Sequence, residues 1–205
     1  MKILFTGFTP FGGESVNPAW KAVANLPRIY DDIEILTLEI PTEFKKGFEA
    51  IEAFIKENPV DAVICVGQAG GRAKIAVEKV ALNYMDGNIP DNGGYMPRNT
   101  PVMEDGWDGL FSTIPVEGIV DYLKECMIPA YVSLTAGSYV CNDTLYRLLY
   151  HFKKENLPVK AGFIHVPYAP EQVIDKISTA PCMELSTMTR ALIEIASYIS
   201  KKSVD

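Results

Sequence analysis

The chain has 205 residues, 48% of them apolar, which suits a single domain (1–205) with a core that needs no covalent staples. Its 19 basic and 26 acidic residues leave a formal charge of −7, an argument against nucleic acid or an anionic membrane as partner. No apolar run reaches membrane-spanning length, and Gly7, Pro10, Gly12 and Gly13 interrupt the N-terminal apolar stretch before it could act as a signal segment; a cytoplasmic location is the expectation.

Lys2 to Thr6 reads as a short buried strand that stops at Gly7-Phe-Thr-Pro-Phe-Gly-Gly13. Asn17-Pro18 has the form of an N-cap followed by proline in the first helical turn, and predicts a helix to about Leu26. Ile33 to Ile40 is a second strand. From Thr42, the spacing of Phe44, Phe48, Ile51 and Ile55 predicts a helix that Asn58-Pro59 ends.

Asp61 to Val66 is a fully apolar strand running into Gly67-Gln-Ala-Gly-Gly71, and Lys74 to Tyr84 predicts one longer strand. Residues 86–109 carry five glycines and three prolines with little periodicity; a loop of that length is functional or packs against another subunit. Pro115 opens a helix to about Met127, and Pro129 to Leu134 is a strand. Asn142 or Asp143 is the expected start of the next helix, which carries Leu145, Leu148, Leu149 and Phe152 on one side. Lys160 to Val166 is another strand, short helical turns follow near 170–177, and Met188, Leu192, Ile195 and Ile199 mark a final amphipathic helix. Alternating strands and helices predict an α/β three-layer sandwich around a largely parallel sheet.

Four cysteines, at 65, 126, 141 and 182, show no metal-ligand spacing, so no metal is expected; Cys65 reads as a reduced core residue. In open α/β sheets the active crevice lies at the carboxyl ends of the strands. Four such places carry unusual residues: Gly7 to Gly13, Gly67 to Arg72, Cys141 and His165. A cysteine at a helix start sits in positive potential that favours its nucleophilic thiolate; a small buried core cysteine is the other reading. His165, at the end of a strand, is placed to pair with it, or is a hydrogen-bonded structural histidine. His151 reads as a partly exposed helix residue. Glu78, on a strand face with Val80 and Leu82, is costly to bury without a partner such as His165, unless it is simply solvated. The two glycine loops match neither phosphate-binding signature, and close approach to a small substrate explains them equally well.

Together these stretches resemble the pyroglutamyl peptidase I (pyrrolidone-carboxylate peptidase) family of cysteine peptidases. The matching segments are Thr6-Gly-Phe-Thr-Pro-Phe-Gly-Gly13, Val16-Asn-Pro18, Val66-Gly-Gln-Ala-Gly-Gly-Arg72 and Val77-Glu-Lys-Val-Ala-Leu-Asn83. They continue with Ile89-Pro-Asp-Asn92, Thr135-Ala-Gly-Ser-Tyr-Val-Cys-Asn142 and Gly162-Phe-Ile-His-Val-Pro167. The resemblance implies a catalytic triad of Glu78, Cys141 and His165, the phosphorylase/hydrolase-like α/β/α fold, no cofactor, a cytosolic location and a homotetramer. The implied substrate is a peptide with an N-terminal pyroglutamyl residue, with Phe8 and Phe11 against the lactam ring and Asn17, Gln68, Tyr139 and Val140 around it. One departure stands out: where the family carries arginine in the loop after the glutamate, a residue thought to assist the oxyanion, this chain has Asn88. Lys79, where arginine is common, is a milder change. A phosphate-using nucleoside phosphorylase on a similar sheet, and a catalytically weak binding protein of the same fold, are the alternatives.

Overall fold

The computed structural model describes residues 1–176 and 179–202. Its chain order is β1 (Lys2–Phe8), α1 (Pro18–Ala24), β2 (Ile29–Tyr30), β3 (Ile33–Ile40), α2 (Lys46–Glu57), β4 (Ala62–Gln68), β5 (Ile75–Glu78), β6 (Val80–Leu82), β7 (Gly109–Phe111), α3 (Val116–Glu125), β8 (Ala130–Ser133), α4 (Val140–Lys154), β9 (Lys160–Val166), a 3-10 turn (Pro170–Gln172) and α5 (Leu185–Lys201). Seven strands form one sheet in the order β2-β3-β1-β4-β9-β5-β8. The β3, β1, β4 and β9 strands are parallel, while β2 on β3 and β5 on β9 are antiparallel.

Both faces of the sheet are covered, so its central strands are apolar on both sides rather than alternating. Ile3, Phe5, Ile64, Val66 and Ile164 face a layer built from Ala19 and Val23 of α1, Ile119 and Leu123 of α3, and Leu192 and Ile195 of α5. Leu4, Phe8, Val63, Cys65 and Phe163 face Ile51 of α2 and Leu145, Leu148 and Phe152 of α4. The chain leaves β1 by α1 on one face to reach β3, then crosses by α2 on the other face to reach β4. A topological switch point therefore opens between the carboxyl ends of β1 and β4, where Phe8 and Gln68 stand.

Two expectations need correction. The single strand from Lys74 to Tyr84 is two: β5 lies in the main sheet, and after Lys79 the chain leaves it so that β6 pairs with β7 in a separate two-stranded sheet. Glu78 therefore does not share a strand face with Val80 and Leu82. The helix expected from Asn142 or Asp143 begins at Val140, with Tyr139 as its N-cap and no side-chain capping bond. Both polar side chains are spent on tertiary contacts instead: Asn142 bonds the backbone of Leu82 and Tyr84, and Asp143 accepts from the Lys45 N–H and from Arg147. Asn17 does cap α1, accepting from the Ala19 N–H at 3.0 Å. The turns expected near 170–177 are seen at Pro170–Gln172, and residue 177 lies outside the described residues.

Candidate active site

His165 stands near the carboxyl end of β9 and Gly67 lies opposite it in the parallel register with β4. Neighbouring strands are about 4.8 Å apart, and residues in register project to the same face. On that face, a β-carbon added to Gly67 would come within 3.0 Å of the Cys141 sulfur and 2.8 Å of the Phe163 ring. The sulfur thus lies over the residue next to His165, in space left by a missing side chain. The imidazole is packed on Phe163, ring centroids 4.7 Å apart.

Glu78 reaches the histidine from the other side. Because β5 runs against β9, Glu78 pairs with Phe163, and His165 is two residues further along on the diagonal. A long side chain spans that diagonal, and Glu78 Oε1 meets His165 Nδ1 at 2.7 Å, with both side chains buried. A carboxylate only accepts, so Nδ1 carries the proton and Nε2 is left as the basic nitrogen.

The same Oε1 accepts a second charged hydrogen bond, from Arg72 Nη1 at 2.8 Å. Among the described residues the other oxygen, Oε2, is buried without a hydrogen bond. Burial pushes the Glu78 carboxyl up, but His165 and Arg72 outweigh it and hold the group below its usual value. Ser133 is opposite Glu78 in the register with β8.

Burial dominates the other two groups. It pushes the Cys141 thiol up to about 12, with the negative charge of Glu78 adding to the effect. It also pushes the His165 imidazole down, against the opposing pull of Glu78. The expected resting thiolate is therefore overridden: Cys141 is the second residue of α4, but the dry surroundings cost a lone charge more than a helix terminus returns. The resting pair is a neutral thiol beside a neutral imidazole.

The other singled-out residues are distributed around this centre. Phe8 is buried with its ring 6.1 Å from that of Phe163. Phe11 lies 6.3 Å from the Tyr139 ring, which Phe44 also meets edge-on at 5.3 Å. Asn17 is buried and its amide bonds Ala19 N–H and the Thr9 carbonyl, so it shapes the loop after β1. Gln68 Oε1 accepts from the nearly buried Gln172. Val140 is buried at the start of α4. Asn88 is exposed, two residues past Asp86, whose N–H bonds the Ser138 carbonyl in the turn before Cys141. His151 is half-exposed against Phe48, as expected, and Cys65 is fully buried.

Sequence reasoning gave no role to Arg72, Ser133 or Gln172. Arg72 had a signal, being the one basic residue in the two glycine loops. Ser133 and Gln172 had none, because their use depends on strand register and on the return of the chain after β9.

The pyroglutamyl peptidase family model matches residues 1–202. The chain is 47% identical to a pyrrolidone-carboxylate peptidase of Thermosipho africanus over 205 residues, covering 100% of both chains. It is 48% identical to one of Brevibacillus brevis over 191 residues, 93% of this chain and 88% of that protein. Pyroglutamyl peptidase I of Bacillus amyloliquefaciens superposes with a TM-score of 0.94 at 39% identity, over 98% of this chain and 97% of the other. A mutant pyrrolidone carboxyl peptidase of P. furiosus gives 0.95 at 37% identity, over 98% and 99%.

Proposed function

The chain belongs to the pyroglutamyl peptidase family, and from that membership we propose that it removes N-terminal pyroglutamyl residues from peptides, with Cys141 as nucleophile, His165 as general base and acid, and Glu78 orienting the imidazole. The observation that carries this reading is the buried Glu78–His165 hydrogen bond beside a sulfur seated over Gly67, the residue paired with His165.

From the neutral resting pair, Nε2 of His165 takes the thiol proton as the sulfur attacks the pyroglutamyl carbonyl carbon, forming a C–S bond and an oxyanion. Charge separation in a dry site is costly, and the Glu78 carboxylate offsets it by stabilising the imidazolium. Collapse of the tetrahedral species breaks the C–N bond, and His165 delivers the proton to the departing amine. Water then attacks the thioester with His165 again as base, which releases pyroglutamate and returns the thiol. The N–H groups in the first turn of α4, starting with Cys141, lack intrahelical acceptors and are the oxyanion donors. Phe8, Phe11 and Tyr139 supply apolar walls near the sulfur. A pyroglutamyl terminus is a neutral lactam, so such walls accept it and exclude a charged α-amine; Gln68 and the backbone at Tyr139–Val140 complete the pocket.

A chromogenic pyroglutamyl amide should be cleaved under reducing conditions, and iodoacetamide or Cys141→Ser should stop the reaction. A parent protein inert on this substrate sinks the proposal. The phosphorylase alternative has little support, since the one cation of the glycine loops is engaged by Glu78. Cytoplasmic placement and a homotetramer belong to the same proposal. The free, exposed Cys182 is consistent with the former. Exposed Leu82 and Phe111 on the two-stranded sheet are consistent with the latter, and sedimentation of the purified protein at the monomer mass would refute it.

A further inference from the structure

We propose that Arg72 is a positioning residue of this centre: its guanidinium keeps the Glu78 carboxylate ionised and aimed at His165 throughout the reaction. The inference rests on the triad reading above and extends it by a fourth side chain.

Geometry carries it. Arg72 Nη1 and His165 Nδ1 converge on one oxygen, at 2.8 and 2.7 Å, while Oε2 of the same carboxylate is buried with no partner among the described residues. Glu78 is fully buried and Arg72 is about one quarter exposed (27%), so the carboxylate is inside while its cation reaches solvent. A buried carboxylate without a permanent cation is driven toward its neutral form. The imidazole is a poor candidate for that cation, because burial pushes it down toward its neutral form. When His165 accepts the thiol proton, the carboxylate must already be charged, and the arginine, ionised at every relevant pH, guarantees this.

The backbone is shaped for the reach. Gly71 has φ of +86°, in the left-handed region that favours glycine. A β-carbon at Gly70 would strike the Tyr168 ring, so the loop lies close to the segment after β9. Arg72 Nη2 also approaches the Thr135 carbonyl at 3.4 Å, which links the arginine to the turn that leads into Cys141.

The sign of the effect is the same at Glu78, His165 and Cys141. The groups facing the centre are Glu78 of β5, His165 of β9, Cys141 and Tyr139 at the start of α4, and Cys65 of β4. The positive charge of Arg72 pulls down Glu78, His165 and Cys141 alike. Neutralising it raises the carboxyl of Glu78, so the ionised form that orients His165 is reached only at higher pH.

The experiment measures, from pH 5 to 10, the rate of alkylation at Cys141 by iodoacetamide, read by mass spectrometry of that peptide, together with kcat/KM on a pyroglutamyl amide. R72Q and R72M are compared with the parent and with R72K. Both neutral variants should shift the acidic limb of both profiles upward by about 0.5–1 pH unit, a charge effect moderated by partial exposure, whereas R72K should keep the parental limb at a reduced rate. An acidic limb unmoved in R72Q and R72M, or moved equally in R72K, would overturn the proposal by leaving Arg72 a purely structural tether. The alkylation arm needs no substrate, so it tests Arg72 even where the pyroglutamyl amide is not turned over, an outcome that counts against the proposed function instead.

Discussion

The sulfur of Cys141 occupies the space that a side chain on Gly67 would need, 3.0 Å from where its β-carbon would stand. The sulfur is held against the sheet by an absence, and Gly67 is in register with His165. A strand interior gains nothing from glycine on grounds of propensity; the close approach explains it.

Gly67→Ala should accordingly lower kcat. The new methyl meets both the Phe163 ring and the sulfur, and Phe163 cannot give way without disturbing the His165 ring packed against it. Overpacking of this kind costs about 1–3 kcal/mol of stability. Thermal unfolding and steady-state kinetics check both effects, and an Ala variant with parental kcat would contradict the placement of the sulfur.

Glu78→Gln should reduce kcat by about 10³–10⁴ with a small change in KM, because the amide neither fixes the tautomer nor balances the imidazolium. Initial-rate kinetics on a pyroglutamyl amide read this directly. A loss confined to KM would move Glu78 out of the triad and into the pocket.

Stability should fall as the pH drops below about 6.5, the ordinary histidine value. The folded state holds His165 below that value, so between the two the unfolded chain binds more protons and folding weakens with acid. Glu78 adds to the same trend lower down: its folded carboxyl is held below the ordinary value of 4.5, and its contribution, present above 4.5, is lost as the pH falls through the depressed one. His165→Asn should shrink the drop in Tm between pH 7.5 and 5.5. An unchanged drop would show that other groups cause it.

Asn88→Arg should raise kcat. Asn88 sits on the exposed loop that Asp86 and Ser138 tie to the turn before Cys141, and a charged donor there adds to the neutral backbone donors of α4. One oxyanion donor is worth about 10²–10³ in rate, so a gain of about 10-fold is a modest expectation for a solvent-exposed arginine. Equal kcat in the two proteins would mean that the loop plays no part in the oxyanion.

The sequence alone determined the α/β class, because helical and strand periodicities alternate; the apolar runs of β3 and β9 and the Asn17-Pro18 start signal of α1 located those elements closely. It also determined which chemically able residues exist: with two histidines and four cysteines in the chain, pairing Cys141 with His165 needed few alternatives to be set aside. Local pattern singled out Glu78 as a carboxylate needing a partner such as His165, though on a strand face shared with Val80 and Leu82, and the family resemblance added its role. Only the tertiary structure decided that β5 runs against β9, so that Glu78 reaches His165 on the diagonal and shares its oxygen with Arg72. It also decided that burial, rather than the helix terminus, governs the charge of the thiol. The reason is physical: strand direction, register and dielectric surroundings are set by which distant segments pack together, and none of these is encoded in the spacing of residues along any single stretch.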